Sequence, residues 1–431
     1  MFNFVVHRGD SVGNVRNQPI ISKAGDNAEA GTEEGLYLNA RQAAAELSIS
    51  PATLYAYVSR GLIRSEPVPG SRAKRYRAED VRSLREHRAP PEEKAHSGGN
   101  LLQWGAPLFD SEISLISEGE LYYRGVPVSE LMRTATFENV ATLLWDQRDG
   151  AAFSIENVPV VDPIVEAVRG ATNDSHPLDR IMSTLAVAAS ADAQTYNQTE
   201  EGLAATGARI VRLVTAIVSG GVPDALPVHE HLADHWGVPR AKAHLLRMAL
   251  VLIADHELNA SSFTVRCAVS TGSNLYEGVV AGTAALKGPR HGGASGRASA
   301  QLNMFKAEDR EAQLRQNLEL GMKLAGFGHL LYRNGDPRAR FLLGELAKNE
   351  EWVDLAVVVP TQVLAISGEH ANIDFALAVL CDVLNLPTHA AMSIFALGRT
   401  AGWIAHAMEQ KRSGQFIRPR ARYVGPAPRV G

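Results

Sequence analysis

The chain has 431 residues, 45% of them apolar, which is enough to bury a large core in two or three structural units. Its 43 basic and 47 acidic residues nearly balance, which argues against a nucleic-acid coat, a membrane-surface protein or a disordered acidic chain. Its two cysteines, Cys267 and Cys381, form no disulfide framework or zinc motif, and no stretch of about 18 consecutive apolar residues is present. We therefore expect a soluble, cytoplasmic protein.

Two segments without hydrophobic periodicity divide the chain. Residues 1–35 are rich in Gly, Asn, Asp and Glu, and this composition predicts a disordered tail. A Pro-Pro pair, charged residues and Ser-Gly-Gly follow one another between 87 and 100, which predicts a linker at 91–100. The small module at 36–90 and the large region at 101–431 are the predicted folded parts.

The small module has the pattern of a winged helix-turn-helix. A first helix is predicted from about Ala40 to Leu47, with Ala43, Ala44 and Leu47 facing inward. A tight turn at 48–50 leads to a second helix that ends near Arg60. The pattern resembles the DNA-binding unit of excisionase and MerR-type proteins, and residues 64–81 resemble the wing.

Charge supports a nucleic-acid contact for this module. Residues 36–88 hold ten Lys or Arg against five acids, so the module carries +5 and the remainder of the chain −9. Alternatively, the helix pair packs on the larger domain or on a partner, and its arginines are a solvated face. The predicted DNA-contacting residues are Thr53, Tyr55, Tyr57, Arg60, Arg72, Lys74 and Arg75.

The region from residue 101 onward is predicted to be almost wholly helical. Windows at 180–194, 207–221, 240–257 and 390–410 repeat apolar residues at helical spacing, and glycine-rich breaks separate them. Alternating strand patterns are nearly absent. The segment 353–364 contains consecutive valines and Pro360, so a short strand and an interrupted helix both remain open.

Several polar residues in this region stand where a packed helical domain would not require them. His256 is predicted to lie between two carboxylates on an otherwise apolar helix, whereas His291 lies at a glycine-rich break and His329 follows two glycines. Asp374 opens a helical pattern, where it could also be an N-terminal cap, as could Asn372. Taken singly, each histidine is more often a hydrogen-bonded core residue than a catalyst. Three arginines complete the set: Arg338, Arg399 and Arg418.

Together and in this order, these segments resemble the citrate synthase family, over residues 101–431 and beginning with LYYRGVPVSEL at 121–131. The resemblance implies a mostly all-α fold with a large domain and a smaller, CoA-facing one, here roughly 290–385. It also implies a homodimer with a shared active site. The implied reaction condenses acetyl-CoA with oxaloacetate and water to citrate and CoA, with acetyl-CoA as a substrate and no cofactor or metal.

The resemblance also implies roles for individual residues. Asp374 matches the base that removes a methyl proton from acetyl-CoA, and His291 matches the group that hydrogen-bonds the thioester oxygen. His256 and His329 match oxaloacetate ligands, and His329 also donates to the ketone oxygen. The arginines that match oxaloacetate ligands are Arg338, Arg399 and Arg418, the last from the neighbouring subunit.

CoA recognition is less clearly marked in the sequence. The candidates are Arg290, Gly326, Gly328 and Arg333, and the arginines among them could equally be ordinary surface charge. Two positions depart from the family pattern: Ser295 stands where Asn is usual, and Leu330 stands where bacterial relatives often carry Arg. Because both are expected beside the CoA site, we expect them to affect CoA affinity or acyl selectivity.

Two alternative functions remain open at this stage. One is 2-methylcitrate synthase, which uses propionyl-CoA, since one extra methylene is worth only about 1–3 kcal/mol in an apolar pocket. The other is a DNA-binding transcription regulator that keeps the citrate synthase body as a ligand sensor. The presence of Asp374 argues against a sensor alone, because a sensor needs the arginines and has no use for a base.

Overall fold

We describe the chain in a computed structural model that covers residues 37–47, 53–54, 57–58, 63–68, 74–77, 80–81, 109–147, 151–419, 423 and 425–426. The chain divides into two compact units, Met1–Asp110 and Ser111–Gly431. The predicted tail at 1–35 and linker at 91–100 lie outside the described residues. The boundaries predicted from the sequence, including the small subdomain at 290–385, stay predictions.

The described residues of the first unit include a helix and a small antiparallel sheet. Its elements are β1 (Tyr37–Asn39), α1 (Ala40–Glu46), β2 (Ser65–Pro67) and β3 (Lys74–Arg77), and the strand order is β1-β3-β2. Ala43, Ala44 and Leu47 are buried, as the helical pattern predicts. The predicted turn at 48–50 and most of the second helix lie outside the described residues, so the helix-turn-helix stays a prediction.

Four of the seven candidate DNA-contacting residues are described, and they differ in their surroundings. Arg75 donates to a carboxylate oxygen of Glu66 at 3.3 Å, and its guanidinium lies 4.1 Å from the ring centroid of Tyr37. Lys74 is exposed, Thr53 is half-buried, and Tyr57 packs at the edge of the core. Three candidate DNA contacts lie outside the described residues: Tyr55, Arg60 and Arg72.

The second unit begins with a three-stranded meander that the sequence pattern did not predict. Its strands are β4 (Ser114–Ser117), β5 (Glu120–Tyr123) and β6 (Val126–Pro127), paired antiparallel in that order. Each hairpin has a two-residue loop ending in glycine, Glu118-Gly119 and Arg124-Gly125, and all four residues have positive φ. Two-residue hairpin loops favour this backbone, but strands of two to four residues are too short for a clear alternating pattern.

Helices make up most of the remaining described residues of the second unit, as predicted. They are α2 (Val128–Thr134), α3 (Phe137–Leu144), α4 (Pro163–Ala171), α5 (Pro177–Ala191), α6 (Glu200–Ser219), α7 (Val228–Trp236), α8 (Ala243–Leu252), α9 (Ala260–Val269), α10 (Leu275–Leu286), α11 (Gly293–Lys306), α12 (Arg310–Glu319), α13 (Pro337–Leu346), α14 (Val359–Ser367), α15 (Ile373–Val383) and α16 (Ala390–Ser413). A π-helical turn, Asp354–Val358, runs into α14, so the ambiguous segment around Pro360 is an interrupted helix.

The core of this unit surrounds α6 and α16, which are buried along most of their length. Among the described residues, α6 alone is long and apolar enough to cross a membrane, and 83% of that apolar window is buried inside the protein. Burial in the core accounts for its composition.

Candidate active site

His256 lies outside the helix on which the sequence pattern placed it. Helix α8 ends at Leu252, and His256 follows in an irregular segment. The carbonyls of residues 253 and 254 accept hydrogen bonds from α16, one from Arg399 Nε at 2.9 Å and one from the Gly402 N–H at 3.0 Å. The predicted helical placement of His256 was therefore wrong: α8 ends at Leu252, and the next two carbonyls bind donors from α16.

Two other aromatic side chains contact His256. Its Nε2 lies 3.0 Å from the Tyr332 hydroxyl, and its ring centroid is 5.4 Å from that of His329. Burial lowers the pKa of His256 well below its ordinary value, and the nearby cations Arg338 and Arg399 lower it further. His256 is therefore a neutral imidazole at neutral pH.

The tautomer of His329 follows from its own loop. The Leu331 N–H donates to His329 Nδ1 at 3.1 Å, so in the neutral ring the proton is on Nε2. Burial, assisted by Arg338, lowers the pKa of His329 to about 4. His329 is thus a neutral hydrogen-bond donor through Nε2.

Arg338 is held by a buried carboxylate of the same helix end. Asp336 accepts from Arg338 Nε at 2.9 Å and from Nη2 at 2.8 Å, and both residues are at most 3% exposed. Burial raises the pKa of Asp336, but the Arg338 charge outweighs it, and the net pKa is lowered. Within the described part of the chain, Arg338 Nη1 has no hydrogen-bond partner, so this end can bind an anion.

Arg399 is also buried, at 1% exposure, and its Nε is the only nitrogen of the side chain that hydrogen-bonds a described residue. Both terminal nitrogens are therefore available to a ligand. Arg418 differs, because it is exposed and makes no hydrogen bond or ion pair with other described residues.

Asp374 is the second residue of α15, and Asn372 is the cap. The Asn372 side chain accepts the Asp374 N–H at 3.0 Å, so the carboxylate of Asp374 is not used for capping. Instead, Oδ1 of Asp374 accepts a hydrogen bond from the Ser295 hydroxyl. Burial raises the pKa of Asp374, although this hydrogen bond and Arg338 oppose the increase.

The loop that carries His329 is fastened to the start of α15. The Asn372 N–H donates to the Gly326 carbonyl at 2.8 Å, and the Gly328 N–H donates to the His370 carbonyl at 2.8 Å. Both glycines have positive φ, and a Cβ on Gly326 would lie 2.7–3.0 Å from Phe375. These glycines therefore fix the distance between His329 and the helix of Asp374.

His291 is oriented by a hydrogen-bonded pair of side chains. The Trp403 indole donates to the Ser261 hydroxyl at 3.1 Å, and this hydroxyl lies 2.9 Å from His291 Nε2. When Ser261 donates to Nε2, the neutral ring carries its proton on Nδ1 and presents a donor there. Asn259 Oδ1, at 2.7 Å, competes for the same hydroxyl proton. Burial and Arg399 lower the pKa of His291 to about 4.

The predicted residues except Arg418 form one electrostatically coupled cluster. Arg399 lowers the pKa values of His256 and His291, and Arg338 lowers those of His256, His329 and Asp374. The cluster combines a carboxylate, three neutral imidazoles and two guanidinium groups with unused donors. Such a set can bind a dicarboxylate, remove a proton from carbon and donate hydrogen bonds to two carbonyl oxygens.

Four residues that support this cluster were not predicted as supports from the sequence: Ser261, Tyr332, Asp336 and Ser295. Ser295 had been singled out, but not for a contact with Asp374. Asp336 had a local signal, since Asp-Pro commonly begins a helix. The others had none, because their partners lie between 30 and 142 positions away. Ser295 was expected beside a CoA site, which stays a prediction, and its hydroxyl donates to Asp374.

The candidate CoA residues are only partly informative. Arg290 and Arg333 are both exposed, and Arg333 has contacts of its own within the protein. Gly326 and Gly328 are needed for the loop geometry described above. The CoA-binding assignments stay predictions.

The family model described as "Citrate synthase, C-terminal domain" matches residues 101–420. This chain belongs to the citrate synthase family. It is 30% identical to "Citrate synthase 2" of Bacillus subtilis, over 73% of this chain and 93% of that relative. A 2-methylcitrate synthase of Mycobacterium tuberculosis is 27% identical over 72% of this chain and 86% of that relative.

Two solved structures of the citrate synthase family share the helical fold. Citrate synthase from Thermotoga maritima matches with a TM-score of 0.65 and 27% identity, over 76% of this chain and 96% of that chain. Citrate synthase from Thermoplasma acidophilum, in a ternary complex with carboxymethyl coenzyme A and oxaloacetate, matches with a TM-score of 0.61 and 25% identity. That alignment covers 75% of this chain and 95% of the other.

Proposed function

We propose that this chain is an acyltransferase that condenses acetyl-CoA with oxaloacetate and water to give citrate and free CoA. The observation that carries the proposal is a half-buried carboxylate of raised pKa among imidazoles of lowered pKa and two buried arginines with unused donors. A thioester methyl is a very weak carbon acid, so its base needs such partners at the developing enolate oxygen.

The condensation step assigns one role to each group. Asp374 removes a proton from the acyl methyl while His291 Nδ1–H hydrogen-bonds the thioester oxygen. The enolate carbon attacks the ketone carbon of oxaloacetate, and His329 Nε2–H donates to the oxygen that becomes an alkoxide. Neutral imidazoles suit this role, because they donate without placing a cation beside the two arginines. Water then cleaves the thioester, and CoA leaves as the thiol.

The acceptor is held by its two carboxylates. Arg338 and Arg399 have free guanidinium nitrogens in the described structure, and His256 lies beside both arginines and His329. Buried guanidinium nitrogens that lack an acceptor are unfavourable, so a bound dicarboxylate stabilises them. Oxaloacetate matches this charge and carries the ketone that His329 needs.

Thiol release with acetyl-CoA and propionyl-CoA, each with oxaloacetate, tests the activity directly. We expect Asp374→Asn to abolish CoA release while calorimetric binding of oxaloacetate remains. Wild-type turnover in that variant would eliminate the proposed base. A higher kcat/KM for propionyl-CoA would instead favour the 2-methylcitrate synthase alternative, which the Mycobacterium tuberculosis relative also suggests.

We also propose a homodimer in which Arg418 completes the partner's site, since this arginine is exposed and unpaired among the described residues of one chain. Arg418→Ala mixed with Asp374→Ala subunits is expected to recover partial activity, because one site of each mixed dimer is then intact. No recovery in demonstrably mixed dimers would contradict the shared site.

A second function is proposed for the basic first unit, which we infer binds DNA. Its support is the charge of +5 in residues 36–88 and the exposure of Lys74 on β3. DNA affinity is expected to fall steeply with salt and further in Lys74→Ala. Absence of binding to genomic fragments at low salt would leave this unit as a packing element.

A further inference from the structure

Ser295 makes this site different from the usual family pattern, in which an asparagine follows the His-Gly-Gly-Ala motif. The serine is the third residue of α11 and is 0% exposed. A helical serine commonly turns its hydroxyl back to a carbonyl of its own helix. Here the hydroxyl donates instead to Oδ1 of Asp374, 79 positions later in the chain. The hydrogen bond joins α11 to α15 at the carboxylate of Asp374.

The two carboxylate oxygens of Asp374 are therefore unequal. Oδ1 is bound by the Ser295 hydroxyl, whereas Oδ2 accepts no hydrogen bond from any residue within the described ranges. We propose that Ser295 is a positioning residue that holds Oδ1 of Asp374 and leaves Oδ2 as the oxygen that takes the proton from the acyl-CoA methyl. The inference rests on the proposed function.

The hydroxyl has two physical effects on the base. The terminal torsion of an aspartate is broad, so without a partner the carboxylate can rotate and lose its alignment with the methyl group. A donated hydrogen bond also favours the ionised form, and it opposes the burial that raises the pKa of Asp374. Ser295 thus orients the carboxylate and favours its ionised form.

The test compares thiol release by wild type, Ser295→Ala, Ser295→Cys and Ser295→Asn across pH. In the Ala and Cys variants we expect kcat to fall about tenfold and the acidic limb of kcat/KM for acetyl-CoA to move to higher pH. The KM for oxaloacetate should change less than about twofold, since Ser295 contacts none of the arginines. Asn can donate an N–H to Oδ1, so Ser295→Asn should restore most of the pH profile.

Ser393→Ala is the matched control, because Ser393 is a buried helical serine whose side chain makes no hydrogen bond to Asp374. Its pH profile should equal that of wild type. Ser295→Cys nearly conserves volume, so it supplies the comparison if the alanine variant does not fold.

A second readout separates this inference from the proposed function. Infrared titration follows the protonated carboxyl band of Asp374, which is identified by its loss in Asp374→Asn. We expect the Ala and Cys variants to become protonated at higher pH than wild type. If wild type releases no thiol, the proposed function fails, yet the infrared comparison still tests the hydrogen bond. Unchanged titration and an unchanged acidic limb in Ser295→Ala would overturn the inference.

Discussion

Asp336 binds Arg338 through two hydrogen bonds of 2.9 and 2.8 Å, and the same carboxylate accepts the Ile373 N–H at 3.0 Å. One buried side chain therefore orients Arg338 and fixes the start of the helix that carries Asp374. In the proposed mechanism, Asp336 thus links oxaloacetate binding to the position of the base.

Asp336→Asn should weaken both folding and oxaloacetate binding. The variant leaves Arg338 buried without its counter-ion, and breaking such a pair costs about 3–5 kcal/mol. We expect the free energy of unfolding to fall by this amount in urea titrations and the KM for oxaloacetate to rise at least about tenfold. The control is Asp354→Asn. Asp354 also accepts two hydrogen bonds from an arginine, Arg310, but its carboxylate is half-exposed. That change should cost less than about 1 kcal/mol. Equal losses in the two variants would contradict the special role of Asp336.

Ser261→Ala should slow the chemical step more than it weakens binding. Without the hydroxyl, His291 Nε2 loses a hydrogen-bond partner that orients the ring. A hydrogen bond worth about 1–3 kcal/mol in the transition state corresponds to about 10–100-fold in rate. We expect this fall in kcat, with oxaloacetate binding nearly unchanged by calorimetry. Ser262→Ala is the neighbouring control, since Ser262 is equally buried and its hydroxyl has no hydrogen-bond partner among the described residues. Similar kinetics in both variants would argue that Ser261 is only a packing residue.

Gly326→Ala should disturb the His329 loop and the fold together. The residue has φ of +86°, and a Cβ would lie 2.7 Å from Phe375 Cβ and 3.0 Å from its backbone. We expect a loss of about 1–3 kcal/mol in unfolding free energy, with reduced kcat. Gly344→Ala, in open space on α13, should instead be neutral or stabilise by up to about 1 kcal/mol. If Gly326→Ala raised only the KM for acetyl-CoA, the glycine would be a CoA contact with no part in loop geometry.

The stability of the protein should fall as pH drops from 6.5 towards 4. The folded protein lowers the pKa values of His291 and His329 from 6.5 to about 4, so the unfolded chain binds protons first. Free energy of unfolding therefore decreases as pH falls through this window. His329→Gln and His291→Gln should each make the decrease shallower in urea titrations at pH 7, 6 and 5. Slopes identical to wild type would show that these groups are not held neutral.

The helices and the polar residues of the site were predictable because their signals are local. Helices α5, α6 and α16 follow from apolar residues at helical spacing, and the inward face of α1 follows from the same pattern. The order of the motifs around His291, His329 and Asp374 was enough to indicate the family. Asn372 and Asp374 were both possible caps in sequence, and the observed hydrogen bond decided for Asn372.

The tertiary structure alone decided what each polar group touches. The end of α8 before His256 depends on donors from α16, about 146 positions away, and no local pattern encodes them. The same holds for Ser295, whose family position suggested CoA and whose hydroxyl reaches the base. Hydrophobic periodicity depends only on residues within a short stretch of the chain, so the helices can be predicted from the sequence. Hydrogen-bond partners and the pKa values they set depend on distances between remote segments, which exist only once the helices have packed.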